Sequence, residues 1–144
     1  MKEHANWNRK LKDLGIKTTK HRIEIIRILE HTHQPISADT IYEQMKTTDI
    51  LISLSTVYRT LDTLIENGLI RKIQFDNESK SLYEINHEKH QHHFVCIGCN
   101  KIITLKECPI KEIVGEFDEL NHLQIVGHKL EFYGYCEECQ RKNQ

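Results

Sequence analysis

No apolar run among the 144 residues approaches the roughly 20 needed to cross a bilayer, and the opening Met1-Lys2-Glu3-His4 has no apolar signal-peptide core. Membrane insertion and export are therefore not expected, and a cytoplasmic location is. No segment repeats and none is of low complexity, which sets aside solenoid arrays and biased tails. No His-x-Glu occurs anywhere in the chain, although zinc deaminases carry one ahead of their cysteines. An excess of either charge is also missing: 20 Lys/Arg face 21 Asp/Glu, for a net charge of -1.

That near-neutrality conceals an uneven distribution. Residues 1 to 27 hold eight Lys/Arg against three Asp/Glu, whereas residues 83 to 144 hold seven against ten. A basic front and an acidic back suggest two modules with separate tasks. With 38% hydrophobic and 28% charged residues the chain has an ordinary globular mixture. Five cysteines and ten histidines stand out against it. In a reducing compartment paired thiols are more readily metal ligands than disulfides.

The first half has helical punctuation. Leu11 and Leu14 end one helix at Gly15, and Thr18 or Thr19 caps a second that carries Ile25, Ile26, Ile28 and Leu29 and stops before Pro35. Ser37 caps a third, and Ser53 or Ser55 a fourth, whose Val57, Leu61, Leu64 and Ile65 share a stripe closed by Gly68. Four helices are thus expected before any strand. Leu69 to Phe75 and Ser81 to Ile85 then read as a hairpin around Asp76-Asn77-Glu78-Ser79. This order predicts a winged helix-turn-helix, with the fourth helix placed to enter a major groove. Beyond a polar hinge, Gln91 to Val95 and Ile102 to Leu105 read as strands. Pro109 to Leu120 reads as a helix, and Leu123 to Tyr135 as one long strand. The expected fold is α+β: a DNA-binding domain at 1–85, a hinge at 86–89, and a small α/β metal-binding dimerisation domain at 90–144.

The chemistry concentrates in the second part. Cys96-Ile-Gly-Cys99 and Cys136-Glu-Glu-Cys139 offer four thiolates, which satisfy tetrahedral zinc without leaving an open position, so one structural Zn2+ is expected and catalysis there is not. Side chains alternate along a strand, so His90 and His92 point one way and His93 the other. His90, His92 and the distant His128 supply three nitrogen donors for a second, exchangeable site, with Glu107, Cys108 or Glu112 as the fourth. Cys108 reads alternatively as a reactive thiol, or as a small hydrophobe ahead of Pro109. His93 pairs with Glu84 in a different site. Imidazole donors suit zinc, iron, nickel and copper alike. For DNA, the candidates are Ser55, Thr56, Tyr58 and Arg59 at the start of the fourth helix, with Lys17, Lys20 and Arg22 in the basic front.

The succession of Leu54-Ser55-Thr56-Val57-Tyr58-Arg59, a histidine run ending in Cys96-x-x-Cys99, and His128-Lys-Leu-Glu-Phe-Tyr-Gly-Tyr-Cys136-x-x-Cys139 resembles the ferric uptake regulator family over nearly the whole chain. The stretch from Cys108-Pro109 to Cys139 is most similar to the zinc uptake regulator branch. The resemblance implies a repressor that binds palindromic double-stranded operators as a homodimer when a regulatory divalent metal is bound, controlling metal uptake genes. It implies no membrane partner and no small organic substrate. By position, Glu84 and His93 match the hinge site, and His90, His92 and His128 match the dimerisation-domain site. Four positions depart from the family pattern. Pro35 and Gln91 stand where histidines are common, Thr104 where a carboxylate is, and Lys111, beside Glu112, where the helix usually supplies an acidic ligand. These departures thin the oxygen-rich hinge site and favour zinc as the sensed ion. A family member sensing Fe2+, Mn2+ or peroxide, and a zinc-stabilised DNA-binding protein without sensing, are the alternatives.

Overall fold

The computed structural model describes residues 6–75, 79–87 and 91–143, the side chains of Lys111 and Asp118 aside. The chain divides into two compact units, Met1–Asn86 and His87–Gln144. His90 and most of the expected wing turn, Asp76 to Glu78, lie outside the described residues.

Unit 1 is assembled from capped amphipathic helices. Helix α1 (Trp7–Asp13) is started by the Asn6 side chain, and Gly15, at φ +73°, follows its last turn. Helix α2 (Lys20–His31) is capped by Thr19 and buries Ile25, Ile26, Ile28 and Leu29. Ser37 caps α3 (Ala38–Met45), and Ser53 caps α4 (Leu54–Glu66). In each case a short hydroxyl accepts from the backbone N–H three residues on and satisfies a donor the helix cannot. The Trp7 indole N–H donates to Glu30 at 3.0 Å, fixing α1 on α2.

Strands β2 (Ile70–Ile73) and β3 (Leu82–Ile85) form the expected antiparallel hairpin, with Lys72 opposite Tyr83. Contrary to expectation, a two-residue strand β1 (Ile36–Ser37) precedes the third helix and completes a sheet of order β1-β3-β2. It exists only through its pairing with Leu82 and Tyr83, some forty-five residues away along the chain, so no local pattern announces it. The core gathers Leu11, Ile26, Ile41, Val57, Leu61 and Leu64 from the four helices.

Unit 2 is a sheet of order β5-β4-β6, made of β4 (His92–Cys96), β5 (Ile102–Leu105) and β6 (Glu131–Gly134). Strand β5 runs antiparallel to β4, and β6 runs parallel to it. Helix α5 (Lys111–Asn121) forms the crossover, and α6 (Glu137–Lys142) follows β6. The long strand expected from Leu123 shrinks to four residues. The ladder to β4 begins only at His93 opposite Glu131, so the apolar alternation upstream has no described strand to pair with. No described helix is long and apolar enough to cross a membrane.

Deleting buried methylenes costs about 2–5 kcal/mol when a leucine becomes alanine. Leu61→Ala, at a fully buried position of α4, is therefore expected to lower the melting transition of unit 1. Trp7, the single tryptophan, reports that transition by fluorescence, and zinc content should not change with it.

Candidate metal centres and nucleic-acid interface

The second unit has very little apolar interior of its own. Cys96, Cys136 and Cys139 form a buried cluster joined by Phe94, so the ligand candidates are themselves part of the core. Cys96 ends β4 and Cys136 is the N-cap of α6, whose first turn carries Cys139. Cys99 lies in the knuckle between β4 and β5, where Asn100 takes a left-handed φ of +63° and its N–H returns to the Cys96 carbonyl at 2.8 Å. The four sulfurs lie within 4.8 Å of one another, with Cys99 and Cys136 at 3.8 Å.

The electrostatics of these thiols are those of a cage built for a cation. The Cys136 backbone N–H donates to the Cys96 sulfur at 3.3 Å, and this bond leads the causes that pull the Cys96 thiol down to about 6. Cys139 is pushed up to about 12, first by its hydrogen bonds to Cys96 and Cys136 and then by desolvation. The crowding thus favours charge on Cys96 and opposes it on Cys99 and Cys139. A dication removes that conflict, and a closed set of four thiolates is the donor set of structural zinc.

Gly98 leaves the knuckle room to close. A Cβ there would stand 2.9 Å from the Cys139 sulfur.

A second group of donors converges separately. His92 Nε2 lies 3.3 Å from the Cys108 sulfur, which lies 3.4 Å from His128 Nε2, and the two Nε2 atoms are 2.9 Å apart. The rings stack with centroids 4.8 Å apart. His92, only 3% exposed, places Nδ1 at 3.2 Å from the Leu130 carbonyl. A carbonyl can only accept, so Nδ1 carries a proton, and Nε2, which faces Cys108 and His128, is the nitrogen placed for a metal. Fixing the tautomer through the other ring nitrogen is how proteins prepare an imidazole for a metal. Of the donors expected for this site, the fold thus brings together His92, His128 and Cys108. Glu107 and Glu112 are exposed and belong to neither convergent group among the described residues.

His93, also buried, belongs to the neighbouring position of β4 and sits in register between Thr104 and Glu131. Glu84, in unit 1, is buried and accepts from Arg71 on the adjacent strand. That ion pair was not anticipated from sequence. The register of β2 on β3 that creates it is set by the hairpin.

On α4, Ser55, Tyr58, Arg59 and Asp62 form an exposed stripe opposite the buried Val57, Leu61 and Leu64, and Thr56 receives a bond from Arg59 at 3.3 Å. Lys17 and Lys20 are exposed, and Arg22 donates to the Lys17 carbonyl. Sequence reasoning missed Asp39 and Lys80, which pair beside Tyr58 in the same unit; they lie 41 residues apart in the chain.

Two outcomes follow from the sulfur cage. Gly98→Ala is expected to displace the Cys139 sulfur and accelerate zinc loss to a chelator roughly tenfold or more, read by a metallochromic dye; an unchanged rate would contradict the close approach. Zinc uptake by the metal-free chain near pH 7 is expected to release protons, since the sulfurs bind as thiolates. Acidification reverses the reaction, protons displacing the metal as pH falls. A pH-indicator titration checks both.

The model of the ferric uptake regulator family matches residues 13–133. The ferric uptake regulation protein of Neisseria meningitidis serogroup A is 30% identical over 141 residues, 97% of either chain. Among solved structures, the Vibrio cholerae ferric uptake regulator, described as showing rearrangement of its DNA-binding domains, superposes with a TM-score of 0.77. It is 31% identical and covers 91% of this chain and 100% of that one. The Helicobacter pylori regulator, described as having three functional metal binding sites, gives a TM-score of 0.78 at 27% identity, covering 93% of this chain and 89% of that one. The chain therefore belongs to the ferric uptake regulator family and is a metal-responsive transcription regulator, not an enzyme.

Proposed function

We propose that this chain is a zinc-responsive repressor of the cytoplasm. As a homodimer with one structural zinc on Cys96, Cys99, Cys136 and Cys139, it takes up a second, regulatory zinc and then binds palindromic operator DNA at metal uptake genes. The observation that carries the reading is the convergence of His92, Cys108 and His128 at a place separate from the four cysteines. Two imidazoles and a thiolate form a borderline-soft donor set, which suits zinc better than Mn2+ and favours it over Fe2+. His90, next but one to His92, is the candidate for the fourth position. Pro35, Gln91 and Thr104 take donors away from the hinge site of the family pattern, and Arg71 already occupies a Glu84 oxygen. Glu84 and His93 are accordingly assigned a secondary role.

Support for a homodimer comes from the apolar surface of unit 2. Ile113, Phe117 and Leu120 follow one another at i, i+4 and i+7 on α5 and are all exposed, as are Leu123, Val126 and Phe132. Large apolar side chains exposed together along one helix face are a mark of an interface. Support for DNA binding comes from the exposed stripe of α4, with Ser55, Tyr58 and Arg59, and from Lys17, Lys20 and Arg22. The regulatory zinc would be held by His92, Cys108 and His128, and the chemistry it supplies is a cross-link between β4, the start of α5 and the approach to β6. If the closed arrangement of the dimer binds that ion more tightly, rising zinc shifts the population toward the form that spans both half-sites.

Elemental analysis before and after a mild chelator is expected to give about two zincs per chain and then about one, with the fold retained. Duplex binding should be lost with the second zinc and restored on its return. Equal DNA binding by the one-zinc and two-zinc forms would sink the sensor reading. One zinc at both stages, even after zinc is added back, would point to another sensed metal or to a constitutive binder.

A further inference from the structure

Resting on the proposed DNA binding, we infer that the cavity between α4 and the β-hairpin of unit 1 is a seat for a backbone phosphate of duplex DNA, with Lys80 as its cation and Asp39 as the group that holds Lys80 when no DNA is bound. The cavity measures about 390 Å³ and is lined by Tyr58, Lys72, Lys80, Ser81 and Asp39 among others. Ammonium groups and hydroxyls are the groups that proteins offer to phosphate oxygens. One wall is Tyr58, which stands on the exposed stripe of the helix assigned to the major groove. A phosphate flanking that groove is the anion nearest to hand, which argues for the duplex over a free anion.

The charges in the cavity explain why an exchange is needed. Lys72 and Lys80 are offset by Asp39 and Asp62, so the cavity is balanced in the free chain. Lys80 donates to Asp39 at 2.6 Å, and both side chains are largely open to water, at 64% and 43% exposure. Ion pairs so exposed contribute little and are easily traded. Lys80 is tied at one end to β3, two residues before Leu82, and Asp39 to the first turn of α3. A phosphate entering beside Tyr58 replaces the carboxylate on Lys80, and the released counterion favours the exchange.

Phosphate contacts are independent of sequence, so a duplex of mixed sequence, about 40 base pairs long, serves as the probe, with the zinc-loaded full chain and salt between about 50 and 200 mM. Lys80→Gln, which removes one contact from each protomer of the dimer, is expected to weaken binding about sixtyfold at 0.1 M salt and to reduce the log–log salt slope by about 1.8. Asp39→Asn, which frees the ammonium, is expected to strengthen binding about two- to fivefold, and that gain should vanish when Lys80 is also glutamine. Lys142→Gln removes the same charge from unit 2 and serves as the control. A Lys80→Gln protein that behaves like the control, or an Asp39→Asn protein whose affinity is unchanged or lower, overturns the inference while leaving DNA binding intact. Absence of duplex binding by the unsubstituted zinc-loaded chain overturns both. Inorganic phosphate bound by the unsubstituted chain and not by Lys80→Gln, with duplex affinity equal in the two proteins, would assign the cavity to free phosphate and overturn the duplex assignment.

Discussion

The closure of residues 96 to 139 by four sulfurs is the constraint on which the second unit depends. That unit spans His87 to Gln144, a length at which a single apolar core is marginal. Three of its buried core members are cysteines. Without a cation the sulfurs work against one another, as the opposite displacements of Cys96 and Cys139 show. With zinc they contribute on the order of 10 kcal/mol of apparent binding energy to the folded state. In the proposed reading, metal is thus a folding requirement before it is a signal.

The same closure prepares the second group of donors. Cys96 ends β4 while Cys136 follows β6 by two residues, so gathering their sulfurs lays β6 parallel to β4, with Cys96 opposite Gly134 and the Ile97 N–H on the Gly134 carbonyl at 2.8 Å. Four residues upstream, at His92 and just before β6, the register brings His92 to the Leu130 carbonyl, and His128 stands at 2.9 Å from His92. Cys108 arrives from the turn between β5 and α5. The four-sulfur cluster therefore stands at one end of the sheet, while a smaller, nitrogen-richer donor set sits at the other. The proposed function assigns a retained ion to the first and an exchangeable one to the second.

Much of this was legible in the sequence, for local reasons. Helix boundaries followed from hydroxyl caps at Thr19, Ser37 and Ser53 and from the glycines at 15 and 68, because capping is decided within one turn. The paired Cys-x-x-Cys spacing pointed to one four-sulfur group because each knuckle is self-contained. What stayed hidden depends on long-range register. Strand β1 and the Arg71–Glu84 pair are created by tertiary pairing, and the extent of β6 is set by where β4 begins. For Cys108 the sequence favoured a buried small hydrophobe over a ligand or a reactive thiol. Only the crossover decides which strand end it meets.

Cobalt substitution tests the central claim most directly, because sulfur-to-cobalt charge-transfer absorption counts thiolates at each site. Titrating the metal-free chain with Co2+, the first equivalent should bring an intense band from four thiolates, and the second about a quarter of that increment from Cys108 alone. Cys108→Ser should keep the first increment and lose the second. Saturation at one ion, or a second increment without a sulfur band, would contradict a regulatory site built on His92, Cys108 and His128.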